Sequence, residues 1–203
     1  MTIAYKLGSK VYLNITNICP CSCVFCLRET QSGVGDAASL WLEREPSIDE
    51  IKSTLDAYPF EGINEIVFCG YGEPMERADV VLEVSRYIKL ELFAQKNKPA
   101  PPVRINTNGL AYLMSPGFDV SRLAVVDTVS ISLNADDSAE YMRVARPRFG
   151  VQSYDALLNF AKESSAYTNV VFTVVEGMSQ ERLENCMRIA DDLGVSFRLR
   201  PYE

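Results

Sequence analysis

The chain is 203 residues long and 47% apolar, with a net charge of −7 and no histidine. That length and apolar share suit one sizeable domain, and the negative charge argues against indiscriminate binding to nucleic acid, which needs a basic field. The missing imidazole excludes Ser-His-Asp and Cys-His nucleophile pairs, His-ligated zinc and imidazole acid–base work. What remains must run on Cys, carboxylates, Lys, Tyr or a cofactor. No run approaches the ~20 apolar residues that cross a bilayer, and residues 1–10 hold no long apolar run. The expectation is a soluble, cytoplasmic protein in a reducing compartment, without a membrane partner.

In chain order, an apolar run at 11–16 leads into Cys19, Cys21, Cys23 and Cys26, four of the six cysteines within eight residues. Thiols this dense, outside a secretory context, point to a metal or cluster site rather than to disulfides. The loop from 27 to 46 is long, contains Gly33, Gly35 and the sole tryptophan, Trp41, and reads as a functional lid or a mobile segment. Ser47-Ile48-Asp49-Glu50 forms a capping box that opens a helix to about residue 56. A strand at 65–69 runs into Gly70-Tyr71-Gly72-Glu73-Pro74. Residues 78–94 then carry Val81, Val84, Ile88 and Leu92 at helical spacing.

A plain connector at 96–102 precedes a strand at 103–107, a short helix at 119–125 and a strand at 128–133. Residues 138–145 are helical up to Pro147, and Ser153 is placed as the cap of a helix from 154. A strand at 170–175 follows. Ser179 caps the last helix, which ends at Gly194 before a strand at 195–200. Strand–helix alternation throughout implies parallel strands with right-handed crossovers. Six such units are too few for a closed eight-stranded barrel, so the predicted fold is α/β, an open partial (β/α)6 barrel in one domain over residues 1–203.

Period-two reading divides the strands into faces. Val11, Leu13, Ile15, Val103, Ile105, Val129, Ile131 and Leu133 share a face that packs on helices. The opposite face carries Asn14, Thr16, Arg104, Asn106, Asn108, Ser130, Ser132, Asn134, Arg198 and Arg200. A packed barrel interior would use branched aliphatics there. Polar rows instead suggest a concave cavity for a polar ligand, the alternative being a flat sheet with those rows in solvent.

Cys19, Cys23 and Cys26 are spaced C-x3-C-x2-C, which lets three thiolates hold three irons of a [4Fe–4S] cubane and leaves the fourth iron open. Cys21 opens two rivals, a zinc site made by all four cysteines and the triad Cys21-Cys23-Cys26. Gly70 and Gly72 let backbone approach a ligand closely. Asn106, Asn108, Ser132 and Asn134 lie at strand C-termini, where α/β folds place ligand contacts. Arg198 and Arg200 share one strand face and would draw an anionic substrate group or form salt bridges. Arg143, Arg146 and Arg148 form either a set of ligand contacts or a solvated basic face. Cys69 fits no cluster pattern, and Cys186 sits on the apolar stripe of the last helix with Leu183, Met187 and Ala190.

With these motifs in order from the first strand to the last, the chain resembles the radical S-adenosylmethionine (SAM) superfamily. The resemblance implies a [4Fe–4S] cluster on Cys19, Cys23 and Cys26, with Phe25 as the aromatic before the last cysteine. It implies SAM on the open iron, split by one electron into methionine and a 5′-deoxyadenosyl radical that abstracts hydrogen from a substrate. Gly70-Tyr71-Gly72-Glu73 is similar to the element that binds the amino group of SAM, in a G-x-G-E-P form. Asn106, Asn108, Ser132 and Asn134 match ribose and carboxylate contacts, Arg146 matches the arginine that neutralises the carboxylate, and Glu176 would reach the adenine region. Arg143, Arg148, Arg198 and Arg200 are left as substrate contacts.

The wording at 14–17, 35–37, 39–43 and 200–202 resembles a narrower group, the small radical SAM proteins associated with TatD-type hydrolases. That group implies a cofactor and no substrate. Partners implied are an electron donor of flavodoxin or ferredoxin type, docking through a local basic patch near 143–148, and a TatD-type hydrolase. The sequence as given ends after its sixth strand without a capping segment, so the open edge is expected to accept a protein segment or an RNA, or to be closed by a second subunit. Competing readings are a glycyl-radical-activase-like enzyme, a deazapurine-synthase-like enzyme, and a non-catalytic zinc or iron–sulfur module that binds a partner.

Overall fold

A computed structural model describes residues 1–201. It opens with a hairpin: β1 (Ala4–Leu7) turns at Gly8 (φ 60) and pairs antiparallel with β2 (Lys10–Leu13), placing Tyr5 opposite Tyr12. From β2 onward every pairing is parallel, through β3 (Glu65–Phe68), β4 (Val103–Thr107), β5 (Thr128–Ser132), β6 (Asn169–Val175) and β7 (Ser196–Arg200). Each strand lies beside its predecessor, and the seven-stranded sheet stays open between β1 and β7. This is the expected partial barrel with an antiparallel strand added at its edge. That strand was not predicted, because four residues carry too little alternation to read.

The connections are α1 (Ile48–Ala57), α2 (Ala78–Tyr87), α3 (Phe93–Gln95), α4 (Ala111–Met114), α5 (Ser138–Ala145), α6 (Gln152–Ser164) and α7 (Gln180–Asp192). A π-helical turn, Ile88–Leu92, joins α2 to α3, so the predicted 78–94 helix is one rod with a widened turn. Both halves of the Ser47/Glu50 capping box form at α1, Asp137 caps α5, and Ser179 caps α7, which ends ahead of Gly194 (φ 66). Ser153 does not cap α6. The chain already turns at 147–153, with Gly150 N donating to Pro147 O and Ser153 N to Gly150 O. The helix therefore starts two residues earlier, and the Ser153 hydroxyl is buried without a partner among the described residues.

The face reading holds. Val11, Leu13, Ile15, Ile66, Phe68, Val103, Ile105, Val129, Ile131, Leu133, Val170, Phe172 and Val174 are buried in one apolar core under the helices. By register the other face runs in rows: Tyr12–Val67–Arg104–Thr128, then Asn106–Ser130–Val171–Ser196, then Ser132–Thr173–Arg198. The loop at 27–46 is tied down over this face. Leu40 joins Tyr5 and Tyr71 in a second apolar cluster; Asn14 Nδ2 donates to Leu40 O at 2.8 Å and Asn17 Nδ2 to Leu42 O at 2.7 Å. No helix among the described residues is long and apolar enough to cross a membrane.

Candidate cofactor site

Beyond β2 the chain enters the cysteine loop at the C-terminal end of the sheet. The loop is stitched to the end of α5 by a strand-like ladder: Ser22 N donates to Ala145 O, Val24 N to Val144 O, and Arg148 N to Pro20 O, with Cys21 bridging Pro147. Pro147 stops α5, and Arg146 turns the chain with a left-handed backbone (φ 47), which costs a non-glycine residue about 1 kcal/mol. Cys26 N donates to Cys23 O, closing the turn that carries the last two cysteines into a 3₁₀ turn at Leu27–Glu29.

Within the loop the Cys21 thiol lies between those of Cys19 and Cys23. Its hydrogen bonds to both hold their protons loosely, lowering Cys19 to about 7 and Cys23 below its ordinary value, while Cys21 itself is pushed up. Burial raises Cys26. Arg28 donates to Cys21 O at 3.3 Å, and its guanidinium favours thiolate at Cys19, Cys23 and Cys26. Among the described residues no three Cys, Asp or Glu side chains are grouped as a single-ion site. The cysteines form a donor set whose thiol chemistry and neighbouring cation suit an anionic sulfur-ligated cluster.

Beneath the loop lies Gly70-Tyr71-Gly72-Glu73. A Cβ at Gly70 would stand 2.0 Å from Asn14 Oδ1, and one at Gly72 would stand 2.3 Å from Thr16 O. Both glycines thus let this turn press against the start of the cysteine loop. Tyr71 is buried beneath the 27–46 loop, edge-on to Trp41, and its hydroxyl donates to Gln31 O. Buried Glu73 links three segments: its Oε1 accepts from Met75 N at 3.0 Å, its Oε2 from Asn108 N at 2.7 Å, and its own N–H donates to Ile18 O. Burial, then the Cys19 thiolate, raise its carboxyl to about 8. Asn108 Nδ2 faces Cys21 Sγ at 3.8 Å.

Beside the loop a cavity of about 450 Å³ opens between α5 and the end of β6, lined by Phe25, Asn134, Val144, Val175, Glu176 and Met178 among others. Asn134 also has a left-handed backbone (φ 53) and accepts from Val175 N through Oδ1. Arg146 is exposed and forms no ion pair among the described residues. Ser132 is half-buried one strand from Asn108. Arg143 pairs with Glu140 and Arg148 with Glu76. Arg198 and Arg200 stand apart from the loop on β7, and Asn106 accepts from Arg104 at 2.6 Å on the same concave face.

The structure therefore joins the cysteines, Glu73 and Asn108 in one network, and Phe25, Asn134 and Glu176 in one cavity. Sequence reasoning missed Arg28, Val144, Met178 and Tyr141. Tyr141 is buried against the Cys21 and Cys23 thiols, and burial, then those thiols, raise its hydroxyl. Its place on the apolar stripe of α5 hid it. No spacing rule marks Arg28, although a lone cation two residues beyond the last cysteine was a charge signal. Among curated proteins none matches this chain. The family model of the Radical SAM superfamily matches residues 13–190, from the end of β2 into α7, and the chain belongs to that superfamily.

Proposed function

We propose that the chain is a radical SAM enzyme that holds a [4Fe–4S] cluster on Cys19, Cys23 and Cys26. When bound there, the cluster and SAM supply a 5′-deoxyadenosyl radical for hydrogen abstraction from a substrate. The observation that carries this reading is the Cys loop–Glu73–Asn108 network beside a cavity of about 450 Å³ bordered by Phe25. Cys21, outside the C-x3-C-x2-C spacing, stays out of the ligand set. Phe25, Asn134, Val175 and Glu176 present a mixed apolar and polar wall of a size for a purine. The Gly70–Gly72 backbone and Glu73 fix the floor for the amino group. Arg146, exposed beside the cysteines and in no ion pair among the described residues, would take the SAM carboxylate, and Asn106, Asn108 and Ser132 would supply polar contacts at the strand ends.

In this reading residues 1–203 act as one domain in the cytoplasm, fed by a flavodoxin- or ferredoxin-type donor. The reading takes the chain as one of the TatD-associated proteins, which the wording at 14–17, 35–37 and 39–43 supports, with a TatD-type hydrolase as partner and a protein segment or RNA as substrate. The test is anaerobic purification, reconstitution with iron and sulfide, and reduction with dithionite in the presence of SAM. Formation of 5′-deoxyadenosine is expected. A colourless protein with stoichiometric zinc would instead support a binding module.

A further inference from the structure

The concave face holds a charge imbalance that the cofactor reading does not use. Arg104 is nearly buried and fully engaged: Nε and Nη2 donate to Glu65 at 2.9 and 3.0 Å, and Nη1 donates to Asn106. Lys10 binds the same carboxylate at 2.6 Å. One carboxylate is thus already shared by two cations. Arg198 and Arg200 then project from alternate positions of β7 onto this face, in the rows that carry Thr173 and Val175. Among the described residues neither pairs with a carboxylate, and Arg200 Nε is buried with no acceptor. Arg198 is exposed on β7, yet desolvation of its guanidinium and then Arg104 and Arg200 lower its pKa, so the guanidinium groups repel one another across the open sheet. A chain of net charge −7 has gathered four cations here around one carboxylate among the described residues, Glu65.

Resting on the reading that the substrate lies against this face, we propose that Arg198 and Arg200, backed by the Arg104–Glu65 pair, bind an oxyanion carried by the substrate. Two forked guanidiniums match the planar oxygens of a carboxylate or the oxygens of a phosphate, and an acceptor would satisfy the orphaned Nε. Arg143 and Arg148 are spent on Glu140 and Glu76 and have no part in it.

The probes are inorganic phosphate and succinate, titrated calorimetrically at constant ionic strength into the anaerobically reconstituted chain. Saturable binding of at least one is expected, weakened about tenfold or more by Arg198→Gln and by Arg200→Gln. Arg188→Gln, on the outer helix α7, should leave it unchanged. Arg200→Lys keeps the charge without the fork and should recover part of the loss; circular dichroism melts confirm that each variant folds. Stronger binding of phosphate marks a phosphate-bearing substrate, and stronger binding of succinate a carboxylate. Absence of saturable binding, or equal binding by the wild type and both Gln variants, overturns the proposal. Cluster content measured on the same samples separates the two readings. A chain that binds the anion through these arginines but holds no cluster contradicts the enzyme and keeps the site, and one that cleaves SAM but binds neither anion does the reverse.

Discussion

Spacing rather than acidity sets the proposed ligands apart: hydrogen bonding to Cys21 lowers Cys19 and Cys23, but burial raises Cys26, the third member of the C-x3-C-x2-C set. Replacing Cys19, Cys23 or Cys26 by Ala should abolish iron and sulfide retention after anaerobic reconstitution. Cys21→Ala should retain both, and equal loss in all four variants would point to a four-thiol site. Glu65 makes a second residue-scale case. Burial alone would raise its carboxyl, but Arg104 and Lys10 outweigh burial and hold it below the ordinary value. A depressed carboxylate stabilises the fold above its unfolded pKa and loses that contribution as pH falls through the folded one. Glu65→Gln strands the nearly buried Arg104, whose side chain is 6% exposed, and should cost about 3 kcal/mol at pH 7 in urea melts. The difference from wild type should shrink below about pH 4.5.

At the scale of elements, the cysteine loop is positioned by neighbours that leave it no slack. Gly72→Ala must displace the Thr16 carbonyl and should cost about 2 kcal/mol, with weaker cluster loading. Ser47→Ala removes one half of the α1 capping box and should cost about 1 kcal/mol with loading unchanged, read from melts and iron content. These elements also show what the sequence could and could not reveal. β4 was readable to the residue because two prolines precede it and Asn108-Gly109 follows, and the polar rows of the sheet followed from period two. Tyr71 was read as part of the element that binds SAM, yet its partners Gln31 and Trp41 come from a loop about thirty to forty positions earlier, which no local pattern discloses. Tyr141 escaped for the same reason, since the fold brings the cysteine thiols beside it, whereas Arg28 carried a local charge signal that went unread.

Over the whole molecule, chemistry is divided by depth in the open sheet. The C-terminal rim carries thiols, Glu73 and the Phe25 cavity, while the concave wall carries Arg198 and Arg200, which pair with no carboxylate among the described residues. If the rim holds the cofactor and the wall the substrate's anion, as proposed, both halves are needed for turnover. The most direct measurement of the central claim is electron paramagnetic resonance of the dithionite-reduced, anaerobically reconstituted chain before and after SAM is added. The account predicts a reduced [4Fe–4S] signal that changes on addition, because one iron lacks a protein thiolate. A signal that SAM leaves unaltered, or a cluster with a cysteine on every iron, would contradict it.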